Sequence, residues 1–271
     1  MKKLVLLITG VLMGLTTVTA ENKSASQGED LVVLHGWGMN RHVWSTIKEP
    51  LSKTFKLWLI DIPGFGDSHD EPLPQSVDAI AETLLTHLPE HFHIMGWSMG
   101  GLIATAIAAN YPHRVNKLVT VASSPYFLEQ SDWPGIKPRL MKQLENDLHN
   151  DFRKTVERFL ALQAMGSKDA KQQVKQLKHW LFQSPLASEQ ALSTGLTLLE
   201  QTDLRETLQT IKAPLLRMYG RLDGLVPISA AQATNQLATQ SSCCIFNESA
   251  HAPFITEPEL FVQQLTRFLN S

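Results

Sequence analysis

The serine at position 98 lies in a context that is typical of a catalytic nucleophile. It is the centre of a Gly-x-Ser-x-Gly pentapeptide at residues 96–100, which follows an apolar run and precedes a run of small residues. This order predicts a strand, a sharp turn and a helix, an arrangement that lifts a serine hydroxyl above a parallel sheet. The helix would direct its positive N-terminal end at the serine, where negative charge develops during acyl transfer. The pentapeptide alone is common, so its meaning depends on the partners that a serine needs.

Two later residues are placed to supply those partners. A serine hydroxyl is a weak nucleophile unless a base removes its proton and a third group orients that base. Asp223 and His251 each come just after an apolar run, at residues 215–219 and 243–246. Serine, acid and histidine in this order form one of the known triad arrangements. We expect Ser98, Asp223 and His251 to be catalytic; Asp203 is the nearest alternative acid, but it precedes its strand.

Ester hydrolysis also requires hydrogen-bond donors for the oxyanion. The backbone N–H of Met99, directly after the nucleophile, is one expected donor. Trp37, in the loop after the first predicted strand, is the second. Because Gly36 and Gly38 flank it, we expect this loop to display the tryptophan ring and N–H rather than bury the ring in the core, with His35 supporting the loop.

Elements that could position these residues alternate along the chain. Short apolar runs predict strands at residues 31–34, 57–60, 91–95, 117–122, 215–219 and 243–246, and helical patterns cover residues 77–88 and 259–269. Between residues 125 and 205 only helical patterns occur, at 139–148, 151–163, 169–182 and 188–200. We therefore predict an α/β fold with a mostly parallel central sheet flanked by helices. Residues 21–124 and 206–271 would form the core, and residues 125–205 a helical cap over the site.

Composition limits the functional classes. The chain has 271 residues, 43% of them hydrophobic, and a formal net charge of −2, which suits one large domain and gives no sign of nucleic-acid binding. Cys243 and Cys244 are adjacent, so we expect a reduced pair buried on a core strand. No spacing of Cys and His typical of a metal site occurs in the sequence.

The first twenty residues resemble an export signal. A basic start, Met1-Lys2-Lys3, precedes an apolar stretch at residues 4–15 and a small-residue site at 18–20. The stretch is short for a membrane span, and a buried first strand is the alternative. Residues 21–30 indicate a polar turn.

Seven stretches carry a resemblance to a known family. LHGWGMN at residues 34–40, DIPGFGDS at 61–68 and GWSMGG at 96–101 resemble the α/β-hydrolase superfamily. Four narrower stretches are VASSP at 121–125, WPGIKP at 133–138, RFLALQ at 158–163 and LDGLVP at 222–227. Together they resemble the pimeloyl-[acyl-carrier protein] methyl ester esterases of biotin synthesis, from about residue 31 to the C-terminus.

The resemblance implies an α/β-hydrolase fold and a reaction. The enzyme would remove the methyl group from the ester of a pimeloyl chain on acyl-carrier protein, releasing methanol and a free carboxylate, with no cofactor and no metal. Because acyl-carrier protein is cytoplasmic, we expect the enzyme to be cytoplasmic as well, and we expect it to be a monomer. The residues that would contact the substrate are Trp37, Ser98, Met99, Phe159, Leu160, Ala161, Leu162, Gln163 and His251.

The charge distribution favours an acidic protein partner. Residues 137–178 contain ten Lys or Arg and five Asp or Glu, a charge of +5, whereas the 14 basic and 21 acidic residues elsewhere give −7. Acyl-carrier proteins are acidic, so this segment could steer and bind one. The alternative is an ordinary solvated helix face. The expected docking residues are Lys154, Arg158, Lys171 and Lys175.

Two other functions stay open at this stage. A general carboxylesterase for short-chain esters would use the same chemistry, and export by residues 1–20 would place it in the periplasm. A non-catalytic ligand-binding protein on the same fold is the second alternative. No nucleic-acid partner and no stable membrane association are expected in any of these cases.

Overall fold

A seven-stranded sheet forms the centre of the protein. The computed structural model describes residues 20–21 and 28–271. The strands are β1 Ala20–Glu21, β2 Asp30–Leu34, β3 Lys56–Ile60, β4 Phe92–Trp97, β5 Val115–Val121, β6 Leu215–Gly220 and β7 Ser242–Phe246. Their order is β1-β3-β2-β4-β5-β6-β7, with β2 to β7 parallel and β1 antiparallel to β3. The predicted α/β class is confirmed.

The register brings the ends of the parallel strands to one edge. Leu34 pairs with Gly96, Gly96 with Thr120, and Val121 with Met218. The six predicted strands match β2 to β7 to within two residues at each end. Apolar runs mark β2 to β6 because these strands are largely buried between the helices, whereas β7 is mostly exposed. The loops that follow β2, β4, β6 and β7 therefore meet at the carboxyl edge of the sheet.

Helices cover the sheet and extend beyond it. They are α1 Ser45–Ser52, α2 Val77–Leu85, α3 Met99–Asn110, α4 Pro138–Asn150, α5 Phe152–Ala164, α6 Ala170–Leu181, α7 Glu189–Gln201, α8 Arg205–Leu208, α9 Ile228–Leu237, α10 Pro253–Thr256 and α11 Pro258–Leu269. Small residues make up most of α3, which lets it lie close to the sheet and buries it almost entirely. Helices α1, α8, α9 and α10 have no counterpart among the predicted elements.

Four helices, α4 to α7, fill the segment between β5 and β6. They match the four predicted helical patterns, and side-chain caps fix two of their starts: Asp151 accepts from the N–H of Lys154, and Ser188 from that of Ala191. The two ends of the segment meet where the N–H of Leu204 donates to the carbonyl of Pro125 at 2.8 Å. The boundaries of the cap as a domain stay a prediction.

The structure differs from two predictions, one about the cysteines of β7 and one about residues 21–30. Cys243 is exposed and Cys244 half-buried, and both are free, so the expectation of a buried pair is wrong. The physical reason is that β7 is the last strand of the sheet, with no strand beyond it. Glu21 lies in strand β1 rather than in a turn. The export-signal interpretation of residues 1–20 falls outside the described residues, apart from Ala20 in β1.

Candidate active site

Ser98 occupies a strained turn between β4 and α3. Its backbone φ of 54° and ψ of −119° are values that residues other than glycine rarely adopt, and backbone strain of this kind is characteristic of functional positions. The backbone around it is held on both sides. The N–H of Ser98 donates to Val121 at 2.9 Å, and its carbonyl accepts from the N–H of Gly101 and the hydroxyl of Ser123. The predicted strand, turn and helix are confirmed.

The glycines of the pentapeptide are required by close backbone approach. A Cβ at Gly96 would collide with the carbonyl of Gly100, and a Cβ at Gly100 would lie 2.5 Å from the carbonyl oxygen of His35. Real Cβ atoms do not tolerate such distances, so both positions need glycine. The same packing brings the loop after β2 against the serine turn.

Asp223 and His251 form a buried pair at the same edge. Nδ1 of His251 lies 2.7 Å from Oδ2 of Asp223, to which it donates, and neither side chain is more than 1% exposed. The other carboxylate oxygen, Oδ1, accepts from the N–H groups of Leu225 and Val226 at 2.8 and 3.0 Å. The loop after β6 thus fixes the carboxylate, and the carboxylate fixes the imidazole.

The second imidazole nitrogen is available for chemistry. Nε2 of His251 is buried and has no hydrogen-bond partner among the described residues. It makes no hydrogen bond with Ser98, although catalytic contacts are often long in the absence of substrate. Trp97, the residue before Ser98, connects the two loops: its Nε1 donates to the carbonyl of His251 at 2.7 Å, and the two rings lie 5.6 Å apart. The sequence analysis missed this tryptophan, since residue type gives no signal at the second position of the pentapeptide.

The expectation that Trp37 displays its ring is wrong. The residue is fully buried, because helices of the segment between β5 and β6 cover it. Its Nε1 donates to the carbonyl of Leu192 in α7 at 2.8 Å, and its ring packs edge-on against Phe159 of α5 at 4.9 Å. A Cβ at Gly195 would lie 2.6 Å from the indole, so glycine there permits this approach.

Two backbone N–H groups remain free at the site. Among the described residues, neither the N–H of Trp37 nor that of Met99 donates a hydrogen bond. The Trp37 loop lies directly beside the serine, since a Cβ at Gly36 would be 3.2 Å from Cβ of Ser98. Both N–H groups could therefore donate to a substrate.

The loop at residues 35–40, called the oxyanion loop below, is fixed from both sides. On the core side, Nδ1 of His35 donates to the carbonyl of Gly36 at 2.8 Å, and Nε2 accepts from the N–H of Ile62 at 3.1 Å. This assigns the neutral tautomer, and burial lowers the pKa of His35. On the other side, the buried Asn40 donates to the carbonyls of Trp180 and Leu181 at the end of α6. Asn40 was not a predicted site residue, because its partners are some 140 positions away in the chain.

The five predicted substrate residues of α5 do not share one face. Phe159 packs against Trp37. Gln163 has a buried side chain, and its backbone carbonyl accepts from the N–H of His251 at 3.1 Å. Leu160 is also buried. Both amide atoms of Gln163 are buried with no partner among the described residues. Ala161 is exposed and Leu162 half-buried on the outer side, so the structure does not bring these two to the site.

The four predicted docking residues lie on the exposed surface of α5 and α6. Arg158 is paired with Asp147 at 2.6 Å. Within the described chain, Lys154, Lys171 and Lys175 have no ion-pair partner. Three of the four charges are therefore free to meet a partner.

The described residues contain neither a candidate metal site nor a candidate membrane span. Among the described residues, no group of three or more His, Cys, Asp or Glu side chains could hold a metal ion. In the same part of the chain, no helix is long and apolar enough to cross a membrane.

Comparison with known proteins decides the family. The model of the alpha/beta hydrolase fold matches residues 31–258. A relative from Vibrio cholerae serotype O1, named pimeloyl-[acyl-carrier protein] methyl ester esterase, is 48% identical over 244 residues, which cover 90% of this chain and 95% of the relative. The chain belongs to this esterase family. A member from Aeromonas hydrophila with the same name is 43% identical over 248 residues, covering 90% and 96% of the two chains.

Solved structures agree with this family at the level of the fold. An esterase from Exiguobacterium antarcticum aligns with a TM-score of 0.81 at 23% identity, covering 94% of this chain and 95% of the esterase. A hydrolase from Oleispira antarctica aligns with a TM-score of 0.82 at 19% identity, covering 95% of each chain. The α/β-hydrolase fold implied by the sequence motifs is confirmed.

Proposed function

We propose that this family member hydrolyses the methyl ester of pimeloyl-[acyl-carrier protein] with Ser98 as nucleophile, His251 as base and Asp223 as the residue that orients the base. The chain is a carboxylic ester hydrolase. One observation carries the assignment of roles: the buried Asp223–His251 pair leaves Nε2 free, at the same sheet edge as the strained Ser98.

The reaction runs in two half-reactions. Nε2 of His251 takes the proton of the Ser98 hydroxyl while Oγ attacks the ester carbonyl carbon. The protonated imidazole then gives this proton to the leaving methoxide, and methanol departs from an acyl-serine. Water repeats the sequence, with His251 as base again, and releases the free carboxylate and Ser98. Asp223 stabilises the imidazolium in both halves through the bond to Nδ1.

The free N–H groups of Trp37 and Met99 stabilise the tetrahedral intermediates. Negative charge develops on the carbonyl oxygen, and preorganised backbone donors at this position lower the barrier. Removing one donor of this kind typically costs about 10²–10³ in rate. Inward-facing Phe159 and Gln163 line the acyl side of the site.

Lys154, Arg158, Lys171 and Lys175 dock the acidic carrier protein. Three of these side chains have no internal ion pair, so their charge is available to steer an acidic partner. Because the carrier protein acts in the cytoplasm, the proposed reaction places the enzyme there as well. The periplasm is the alternative if residues 1–20 direct export, and cell fractionation with sequencing of the mature N-terminus distinguishes the two.

Ser98→Ala tests the chemistry. We expect turnover of every ester to fall by at least about 10⁴-fold while the melting temperature is retained. Ser45→Ala, an exposed serine at the start of α1, is the matched control. Residual activity close to that of the unchanged protein would refute the mechanism.

Charge reversal tests the substrate. Lys154→Glu, Lys171→Glu and Lys175→Glu together should lower kcat/KM for the carrier-bound methyl ester and leave a small free methyl ester unaffected, with the exposed Lys53→Glu as control. Equal losses on both esters would refute docking at this face. Poor hydrolysis of the carrier-bound ester by the unchanged protein would instead favour a general carboxylesterase.

A further inference from the structure

The backbone of His251 is held from both sides by other elements of the protein. Its N–H donates to the carbonyl of Gln163 in α5 at 3.1 Å, and its carbonyl accepts from Nε1 of Trp97 at 2.7 Å. The first bond comes from the segment between β5 and β6, and the second from the residue before Ser98. The position of the proposed base therefore depends on the end of α5 as well as on the sheet.

Gln163 can make this bond because it lies at the end of its helix. The last carbonyls of an α-helix have no partner within the helix. Gln163 is the penultimate residue of α5, so its carbonyl is one of these groups, and the N–H of His251 satisfies it. The bond persists only while the end of α5 keeps its distance from the loop after β7.

The turn between α5 and α6 is packed against the loop that carries the acid. Gly166 has a φ of 95°, and a Cβ there would lie 3.2 Å from the carbonyl oxygen of Leu222, the residue before Asp223. The N–H of Leu222 in turn donates at 2.9 Å to the carbonyl of Ser249, two residues before His251. The turn therefore lies against the loop of the acid, which is itself bonded to the loop of the base.

Two buried polar side chains connect this turn to α10, the helix that follows His251. The hydroxyl of Ser167 lies 2.9 Å from the carbonyl of Ala164 and 2.8 Å from Oε1 of Gln173, and it can donate to either acceptor. Nε2 of Gln173 donates to Oγ1 of Thr256 in α10 over a longer distance, 3.5 Å. Ser167 and Gln173 are only 8% and 4% exposed, and buried polar groups need such partners. A polar chain thus runs from the end of α5 to the helix beside the base.

We propose that Ser167 and Gln173 are positioning residues for ester hydrolysis. They hold the end of α5 against the loop after β7, and so keep the His251 imidazole at the distance and angle that proton transfer from Ser98 needs. The inference rests on the proposed role of His251 as base. It gives α5 and α6 a part in the hydrolysis of every ester, whereas the docking residues on the same helices act only on the carrier-bound one.

Gln173→Met tests the proposal with a small free methyl ester, which needs no docking. Methionine has a similar length and suits a buried position, but it lacks the amide that bonds Ser167 and Thr256. We expect kcat to fall about tenfold and KM to stay within about twofold, because displacing a catalytic group slows the chemistry without changing how the substrate binds. The NMR resonance of the proton between Nδ1 of His251 and Oδ2 of Asp223 should shift as well, since that contact depends on where the imidazole lies.

A double-mutant cycle tests whether the chain acts as a unit. Thr256→Val removes the hydroxyl at the far end of the chain, and Ser167→Ala removes the one at the near end, so each should lower kcat. If they act through one chain, Gln173→Met combined with Thr256→Val should lose little more than Gln173→Met alone. Losses that multiply would refute a connected chain.

The matched control is Gln172→Met on the same helix. Gln172 is the exposed neighbour of Gln173, so this change should leave kcat unaltered. Melting temperatures separate positioning from stability, because a purely structural role of Gln173 would lower the melting temperature and leave kcat of the folded protein unchanged. That result would refute the proposal.

His251→Ala distinguishes the failure of this inference from the failure of the proposed function. If His251→Ala abolishes hydrolysis while the Ser167 and Gln173 variants keep a kcat close to that of the unchanged protein, the positioning role is refuted and the role of the base stands. If His251→Ala hydrolyses the ester at nearly the unchanged rate, His251 is not the base, and the positioning role fails with it.

Discussion

His35 sets the direction of a proposed oxyanion donor without touching the substrate. Its Nδ1–H holds the carbonyl of Gly36, and Nε2 accepts from Ile62. In a planar trans peptide the C=O and N–H point in opposite directions, so fixing the Gly36 carbonyl also fixes the N–H of Trp37. His35→Leu removes both hydrogen bonds and leaves the Gly36 carbonyl held by the N–H of Met39 alone, so this peptide plane is fixed less firmly.

The loss of stability in His35→Leu depends on the two backbone groups that lose a hydrogen bond, the N–H of Ile62 and the carbonyl of Gly36. The N–H of Ile62 is buried, so losing its acceptor should cost about 1–3 kcal/mol of stability. The carbonyl of Gly36 keeps the N–H of Met39 at 3.2 Å, so that loss adds only about 1 kcal/mol. Misdirecting one oxyanion donor should lower kcat by up to about 10²–10³, with little change in KM.

Two amide variants separate catalysis from stability. An asparagine side chain can replace the Nδ1 donor and a glutamine side chain the Nε2 acceptor. We therefore expect His35→Asn to recover more kcat than His35→Leu, and His35→Gln to recover more stability. The assays are steady-state hydrolysis of a small methyl ester and denaturant unfolding. A folded His35→Leu variant with kcat within twofold of the unchanged protein would refute the reasoning.

The free energy of unfolding should decrease at acidic pH because of His35. Burial lowers the pKa of His35 below its ordinary value of 6.5, so the unfolded chain binds a proton that the folded chain does not. Its contribution to stability is therefore complete above about pH 6.5 and decreases as the pH falls below that value. The difference in unfolding free energy between the unchanged protein and His35→Asn should shrink between about pH 7.5 and pH 5. A constant difference would contradict this assignment.

The remaining predictions concern the serine turn and the acid. Gly96→Ala should prevent folding or cost more than about 4 kcal/mol, because its Cβ would collide with the Gly100 carbonyl. Gly224→Ala, whose Cβ meets only a flexible side chain at 3.8 Å, should stay within about 1 kcal/mol in the same unfolding experiment. Asp223→Asn should lower kcat by roughly 10⁴ without changing the melting temperature by more than a few degrees, since it disturbs the tautomer of His251 rather than the packing.

Short-range sequence patterns predicted the strands of the sheet well, but they predicted the burial of residues such as Trp37 and Cys243 poorly. The strands β2 to β6 contain short, largely buried apolar runs, and residue type alone marks such runs. The exposure of Cys243 depends on β7 being the last strand, which is a property of the topology and not of the run. The ring of Trp37 is buried by helices that lie more than a hundred residues later in the chain.

The prediction that residues 159–163 of α5 all contact the substrate failed for a different reason. Residues 159–163 are consecutive on a helix, and consecutive helical positions lie 100° apart, so they cannot all face one site. Helical phase alone separates Phe159 and Gln163, four positions apart on one face, from Ala161 on the other. The resemblance identified the segment, and the geometry of the helix selects the residues within it.

Hydrogen bonds from the oxyanion loop to α6 and α7 link the position of a proposed oxyanion donor to the position of these two helices. Trp37 is bound to Leu192, and Asn40 to Trp180 and Leu181. If these helices lifted away from the sheet, the loop that carries a proposed oxyanion donor would lose its anchors. An open molecule could then admit an acyl chain but would activate its ester poorly.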